Sequence, residues 1–304
     1  FFETVSGFTT TGSTILTDIE VLPKGLLFWR SLTHWIGGMG VLVFVMVLTS
    51  LNEKQSMHLM RAEVPGPEAD KLLPKAKNNA RLLYAMYLAL TVLEILFLLA
   101  GGMNLYDSIT HSFSTAGTGG FSNRNASIGF YDSAYIDGVI TVFMILFGVN
   151  FNMYFLLLIK EVKSVWKNEE VRAYFIIIAG AIAAITINTY SVYESIGKAF
   201  RYSAFQVASI ITTTGFGTAD FNMWPEFSKA ILMTLMVIGA CAGSTGGGMK
   251  VSRFLILLKS IKKEVKQLLH PKAVSVTRIN EKKVGADTRR GVYIFLFGYI
   301  LIFV

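Results

Sequence analysis

Residues 211–221 read ITTTGFGTADF, between two apolar runs and without a long side chain that could catalyse or coordinate. What remains is hydroxyl, glycine and main chain. At membrane depth, non-helical backbone leaves N–H and C=O groups unpaired at roughly several kcal/mol each, so it persists only where protein buries it or water lines it. A dehydrated monovalent cation satisfies such carbonyls, because it needs a cage of oxygens in place of its water shell. Glycine reaches the backbone angles that turn successive carbonyls toward one axis, which residues with a Cβ resist.

Composition puts this stretch in a membrane. Of 304 residues, 53% are hydrophobic, only 16% are charged, and 23 are Phe, far from the balance of a soluble domain. A helical crossing needs about 20 apolar residues, and such segments are predicted at Gly25–Leu51, Arg81–Gly102, Ile136–Ile159, Ala173–Tyr190 and Lys229–Leu258, with a sixth starting at Gly291. The chain begins at Phe1 without an initiator Met or a signal-peptide pattern, so the expectation is a fragment of a longer protein. Cys241 is alone, and His34, His58, His111 and His270 show no metal-ligand spacing.

Charge reports topology. Twenty-two of the 28 Lys and Arg fall within 52–81, 160–172 and 250–290, in alternate connections. By the positive-inside rule these three are cytoplasmic, which accounts for the net +8 without a nucleic-acid groove. The opposite connections carry nine acids against six bases, a sign that enriches cations near that face.

The Thr/Gly stretch also recurs. TTTGST at 9–14, AGTGGFS at 116–122 and TTTGFGTADF at 212–221 align with Gly12, Gly119 and Gly215 in register, 107 and 96 residues apart. The second and third copies follow short amphipathic stretches, Leu105–Thr115 and Tyr193–Ile211. These read as re-entrant helices whose negative C-terminal ends aim at the bend. One copy alone is equally well a helix-packing seam; three in register favour a pore.

At these residues, and at SGFTTTGSTIL, LPKGLLFWRSLTHWIGGMGVLV and GACAGSTGGGMKVSR, the sequence resembles the Trk/Ktr/HKT superfamily of potassium transporters, closest to its bacterial Trk-type membrane subunits. The resemblance implies an all-α transmembrane fold of repeated M1–P-loop–M2 units, pseudo-fourfold around a central ion pore, with three of four filters in this chain. Unit 1 is expected at 1–51, unit 2 at 81–160, unit 3 at 173–258 and the start of unit 4 at 291–304, with connections at 52–80, 161–172 and 259–290. Ion-coordinating carbonyls are carried over to Thr10, Thr11 and Gly12, to Gly117, Thr118 and Gly119, and to Thr213, Thr214 and Gly215. Gly117 stands where the other copies have Thr, so coordination there rests on backbone. Serine at the filter glycine accompanies sodium permeability in related transporters; glycine in all three copies favours potassium. The same resemblance implies potassium uptake through a bacterial inner membrane, no cofactor beyond the transported ion, a homodimer, and a cytosolic nucleotide-binding ring (NAD/ATP-type) as regulator.

Residues 239–253 interrupt an apolar helix with five glycines, each costing roughly 1 kcal/mol relative to Ala. A break into two half-helices is predicted at Gly243–Gly248. The resemblance makes Gly243, Ser244, Thr245, Gly246, Gly247, Gly248 and Lys250 a gate beneath the filter, where the Lys250 charge disfavours a cation. A static break is the competing reading. A nucleotide P-loop fails, because Met249 separates Gly248 from Lys250 and Val251 replaces the Ser/Thr. Asn150 and Asn152 interrupt another apolar run and read as helix–helix hydrogen-bonders or as pore-facing groups, the former favoured. Glu94 poses the same choice without a visible partner. The basic stretch from Leu258 to Gly285 either sets topology or docks lipid headgroups or a partner.

Two other classes stand beside the pore. A secondary transporter holding a small solute at half-helix ends leaves three same-sense Thr/Gly stretches unexplained. An intramembrane enzyme lacks a plausible nucleophile, paired-Asp or metal constellation at membrane depth.

Overall fold

The computed structural model describes residues 1–40, 76–270, 276–280 and 282–303. The later part of the span expected at Gly25–Leu51, most of the first cytoplasmic connection, and Pro271 lie outside the described residues. In chain order the helices are α1 (Phe2–Phe8), α2 (Lys24–Gly38), α3 (Ala76–Ala100), α4 (Leu105–Ala116), α5 (Ala134–Phe147), α6 (Phe151–Leu158), α7 (Val162–Lys167), α8 (Glu169–Tyr193), α9 (Ile196–Ile211), α10 (Glu226–Ile238), α11 (Val251–Leu269) and α12 (Ala286–Phe303). A two-stranded antiparallel hairpin, β1 (Arg278–Ile279) with β2 (Lys282–Lys283), precedes α12.

Among the described residues two helices, Ala80–Ala100 and Glu169–Tyr193, are long and apolar enough to cross a membrane, and α5 with α6 makes a third if taken as one bent span. On α3 the outer face carries Leu88, Val92, Leu93, Leu96 and Phe97, each large and exposed. An apolar stripe of this extent suits lipid rather than water.

The short helices are packed inside the longer ones: α4 against α2, α3 and α5, and α9 against α8, α5 and α10. At 12 residues α4 is about 18 Å long, too short for a hydrocarbon core of about 30 Å. It is polar nonetheless, with Ser108, Thr110, His111, Ser112, Ser114 and Thr115 all buried. Several of these hydroxyls donate back to their own helix: Ser108 to the Asn104 carbonyl (2.9 Å), Thr110 to Tyr106 (3.0 Å) and Thr115 to His111 (2.9 Å). Such back-bonding lets a polar helix sit in an apolar shell. Asn104 caps its N-terminus by accepting from Asp107 N at 2.9 Å.

One expected span is not a single helix. Ile136–Ile159 bends by 92° between α5 and α6, at Gly148, Val149 and Asn150. Most of the freed backbone groups find partners, as buried main chain requires. Tyr174 and Tyr154 hydroxyls donate to the Ile145 and Leu146 carbonyls (3.1 and 2.6 Å). Thr245 Oγ1 donates to the Phe147 carbonyl, Cys241 N to that of Gly148 (3.0 Å), and Phe151 N to that of Gly243 (3.0 Å). Asn150 caps α6, its Oδ1 accepting from Asn152 N at 2.9 Å. The span expected at Lys229–Leu258 is interrupted as its glycines predict, with the break already open at Gly239. These two breaks satisfy each other.

Candidate ion pathway: three bends and a glycine loop

Three short helices end in the same backbone figure. The first residue past each helix, Thr9, Gly117 and Thr212, closes the last turn. The next, Thr10, Thr118 and Thr213, has φ of +54°, +52° and +59°. Two residues on, Gly12, Gly120 and Gly215 have φ of +73°, +76° and +84°. Between them Thr11, Gly119 and Thr214 donate N–H to the carbonyls of Ser6, Ser114 and Ser209, at 2.9, 3.0 and 2.9 Å. A left-handed threonine is uncommon, and its threefold recurrence shows one device built three times.

This geometry corrects the sequence register in the second copy. Gly120, not Gly119, is the conformational equivalent of Gly12 and Gly215. Gly117 then drops out of the carbonyl set, because its oxygen accepts from Thr118 Oγ1 at 2.7 Å, as that of Thr212 accepts from Thr213 Oγ1 at 2.6 Å. The error arose because AGTGG offers two adjacent glycines and composition cannot choose between them.

The carbonyls that remain are those of Thr10, Thr11 and Gly12, of Thr118, Gly119 and Gly120, and of Thr213, Thr214 and Gly215. Among the described residues none of these nine accepts a hydrogen bond. The bends also touch. A Cβ on Gly12 would overlap the Gly119 carbonyl oxygen, and one on Gly120 would overlap that of Thr214, whereas Gly215 has nothing within 4 Å. Most of the threonine hydroxyls, by contrast, are taken up by protein: Thr9 pairs with Thr11 and Thr212 with Thr214, both at 2.8 Å, and those of Thr118 and Thr213 donate to carbonyls. The oxygens free for a cation are therefore mainly main-chain oxygens.

Each short helix also reaches forward to hold the chain leaving its bend. Glu3 Oε1 accepts from Thr14 Oγ1 (2.8 Å) and Ile15 N (3.0 Å), His111 Nε2 meets Ser122 Oγ at 3.0 Å, and Gln206 Nε2 donates to the Ala219 carbonyl at 3.1 Å. In the second unit the buried Asp107 adds a clamp at the N-terminal end of α4. It accepts from Asn123 Nδ2 (2.5 Å), Arg124 Nη2 (3.2 Å) and Tyr131 OH (2.6 Å). Burial opposes its ionisation, but these donors outweigh it and hold the carboxyl below its ordinary range. Asp107→Ala leaves three donors short of an acceptor, at about 1–3 kcal/mol for each buried one. The expected result is a melting temperature in detergent several degrees below the parent, read by a thermal-shift assay.

Below the bends lies the loop from Gly239 to Lys250. Its tip is bonded to two of them: Thr118 Oγ1 donates to the Thr245 carbonyl (3.0 Å), and Gly247 N donates to Thr213 Oγ1 (2.6 Å). The buried Lys250 ammonium donates to the Gly246 carbonyl. Lys250 itself has φ +78° and ψ 136°, a conformation that costs a residue with a Cβ on the order of 1–3 kcal/mol. At the base, Glu170 Oε1 accepts from both Ala242 N (2.7 Å) and Ser252 N (3.0 Å). One carboxylate thus ties the start of the loop to the start of α11. The reading of composition and spacing missed Glu170; its only signal was a charged residue at the edge of an apolar run.

A family model described as TrkH, cation transport protein, matches residues 1–304. The chain belongs to the TrkH family. It is 38% identical over 306 residues to the Trk system potassium uptake protein TrkH of Halomonas elongata, covering 99% of this chain and 63% of that one. Against the protein of the same name from Escherichia coli the identity is 38% over 310 residues, covering 100% and 64%. The crystal structure of the potassium transporter TrkH from Vibrio parahaemolyticus superposes with a TM-score of 0.86 at 34% identity, covering 99% of this chain and 62% of that one. The chain thus spans under two thirds of the length of these TrkH relatives, and it shares their helical membrane fold.

Proposed function

We infer that this chain carries the selectivity region of a potassium uptake pathway in a bacterial inner membrane. The observation that carries the reading is the set of nine uncommitted carbonyls on three touching bends, which suits a cation stripped of its water. Three units of an expected four supply them, within 1–51, 81–160 and 173–258, with the basic connections cytoplasmic and the bends toward the outside. The relatives named for potassium uptake support potassium as the ion. Gly243–Lys250 acts as the gate: its tip lies under two bends, its small residues can cross a narrow pore, and Lys250 places a buried charge there. A cavity of about 110 Å³ beside Asn150, Glu170, Ala242 and Ser252 offers room at the loop's base. A homodimer and a cytosolic nucleotide-binding ring partner complete the reading by family resemblance.

The test is growth at low potassium of a host lacking its own uptake systems. The full-length protein is expected to restore growth, and failure to do so at normal membrane levels overturns the reading. Lys250→Gly removes both the buried charge and the strained φ. It is expected to raise potassium flux severalfold; unchanged flux removes Lys250 from the gate.

A further inference from the structure

The second bend is held differently from the other two. In the first and third, hydroxyls tether the bend twice over. Thr9 pairs with Thr11 and Thr212 with Thr214, while Ser6 and Ser209 donate to the carbonyls of Ser13 (2.6 Å) and Phe216 (2.7 Å). In the second, Gly117 and Gly119 replace both threonines, and Ser114 Oγ, the counterpart of Ser6 and Ser209, is buried without a partner. All these tethers are missing together.

A ring from another unit fills their place. His34 of α2 is fully buried, stacks on Phe121 with centroids 4.1 Å apart and planes at 21°, and accepts from Phe121 N through Nδ1 at 3.4 Å. A Cβ on Gly119 would lie 2.5 Å from His34 Cε1 and Nδ1. The imidazole and a side chain at position 119 are therefore mutually exclusive. Phe121 directly follows Gly120, so the ring grips the chain where it leaves the uncommitted carbonyls.

We propose that His34 is a positioning residue for ion selection, whose ring braces the second bend in place of the hydroxyls that brace the first and third. This rests on the potassium-pathway reading and deepens it. A planar ring with two rotatable bonds, packed on all sides, holds the Thr118–Gly120 carbonyls with little freedom to close on a smaller ion. Loss of the ring leaves Gly119 and Gly120 with neither the hydroxyl pair nor the serine tether of the other bends, only Thr118 still being bonded through its hydroxyl to the Thr245 carbonyl, and sodium then gains on potassium.

The experiment measures potassium and sodium uptake into proteoliposomes holding the full-length protein, in the parent and in His34→Ala, His34→Leu, Gly119→Ala and His34→Ala/Gly119→Ala. Both His34 variants are expected to lower the potassium-to-sodium ratio about fivefold; His34→Leu refills the volume without an acceptor and decides the matter if His34→Ala does not fold. Gly119→Ala alone is expected to cut potassium uptake at least tenfold, and the double variant to recover to the His34→Ala level, since the clash is with the ring. An unchanged ion ratio in a folded His34 variant overturns the proposal, as do losses at 34 and 119 that simply multiply. A parent protein that takes up no potassium overturns the transport reading itself, a separate outcome.

Discussion

Gly120→Ser is expected to lower potassium uptake by at least tenfold, and Gly12→Ser to do the same, while Gly215→Ser loses clearly less. All three glycines sit at positive φ, where a residue with a Cβ costs roughly 1–2 kcal/mol. The difference lies in their neighbours. The new Cβ at Gly120 would overlap the Thr214 carbonyl oxygen, and at Gly12 that of Gly119, whereas at Gly215 it meets nothing within 4 Å. Both displaced oxygens belong to the uncommitted set, so two of the substitutions move an ion ligand on the adjoining bend and the third strains only its own. Since about 1.4 kcal/mol is a factor of ten, backbone strain with a displaced carbonyl reaches that size. Uptake of potassium and sodium by the three variants, normalised to membrane level, is the measurement. Equal losses at 120 and 215 would remove the contact between bends from the account.

Glu170→Ala is expected to loosen the base of the loop, with Cys241 as the reporter. Cys241 is fully buried, and its N–H is bonded across to the Gly148 carbonyl. Removing the carboxylate strands the N–H groups of Ala242 and Ser252, at about 1–3 kcal/mol each if they stay buried, and takes a negative charge from the N-terminus of α11. Opening of the loop base becomes correspondingly easier. Labelling of the Cys241 peptide by a small thiol reagent, followed by mass spectrometry, should speed up about tenfold or more. Glu170→Gln keeps an acceptor oxygen and should fall between. A labelling rate equal to the parent's in Glu170→Ala would mean that the loop base is held by its backbone bonds to Gly148 and Phe151 alone.

Two spans, α3 and α8, and the short helices were legible because each is written in local pattern. The 25 residues of α8 follow an Asn cap and run apolar to Tyr193, and α9 ends at Ile211, where the third Thr/Gly stretch begins. The break after α10 was equally plain from its glycines. The bend between α5 and α6 was not, because Gly148 is a single glycine in an apolar run and Asn150, which caps α6, is by local pattern equally a helix–helix hydrogen-bonder. What stops it is remote. Gly243, Cys241 and Thr245 lie roughly a hundred residues on and offer the hydrogen bonds that a continuous helix would have kept to itself.

By itself, then, the sequence determined a helical membrane protein, three Thr/Gly bends and a broken helix, since each follows from hydropathy or glycine content within a short window. Only the tertiary structure decided which glycine of the pair at 119 and 120 takes the left-handed position, and that Glu170 joins the loop to α11. It also placed the ring of His34 where the other bends have hydroxyls. The physical reason is the same in each case: these are choices about which distant group meets an unpaired backbone atom or an empty Cβ position, and no local window contains both partners.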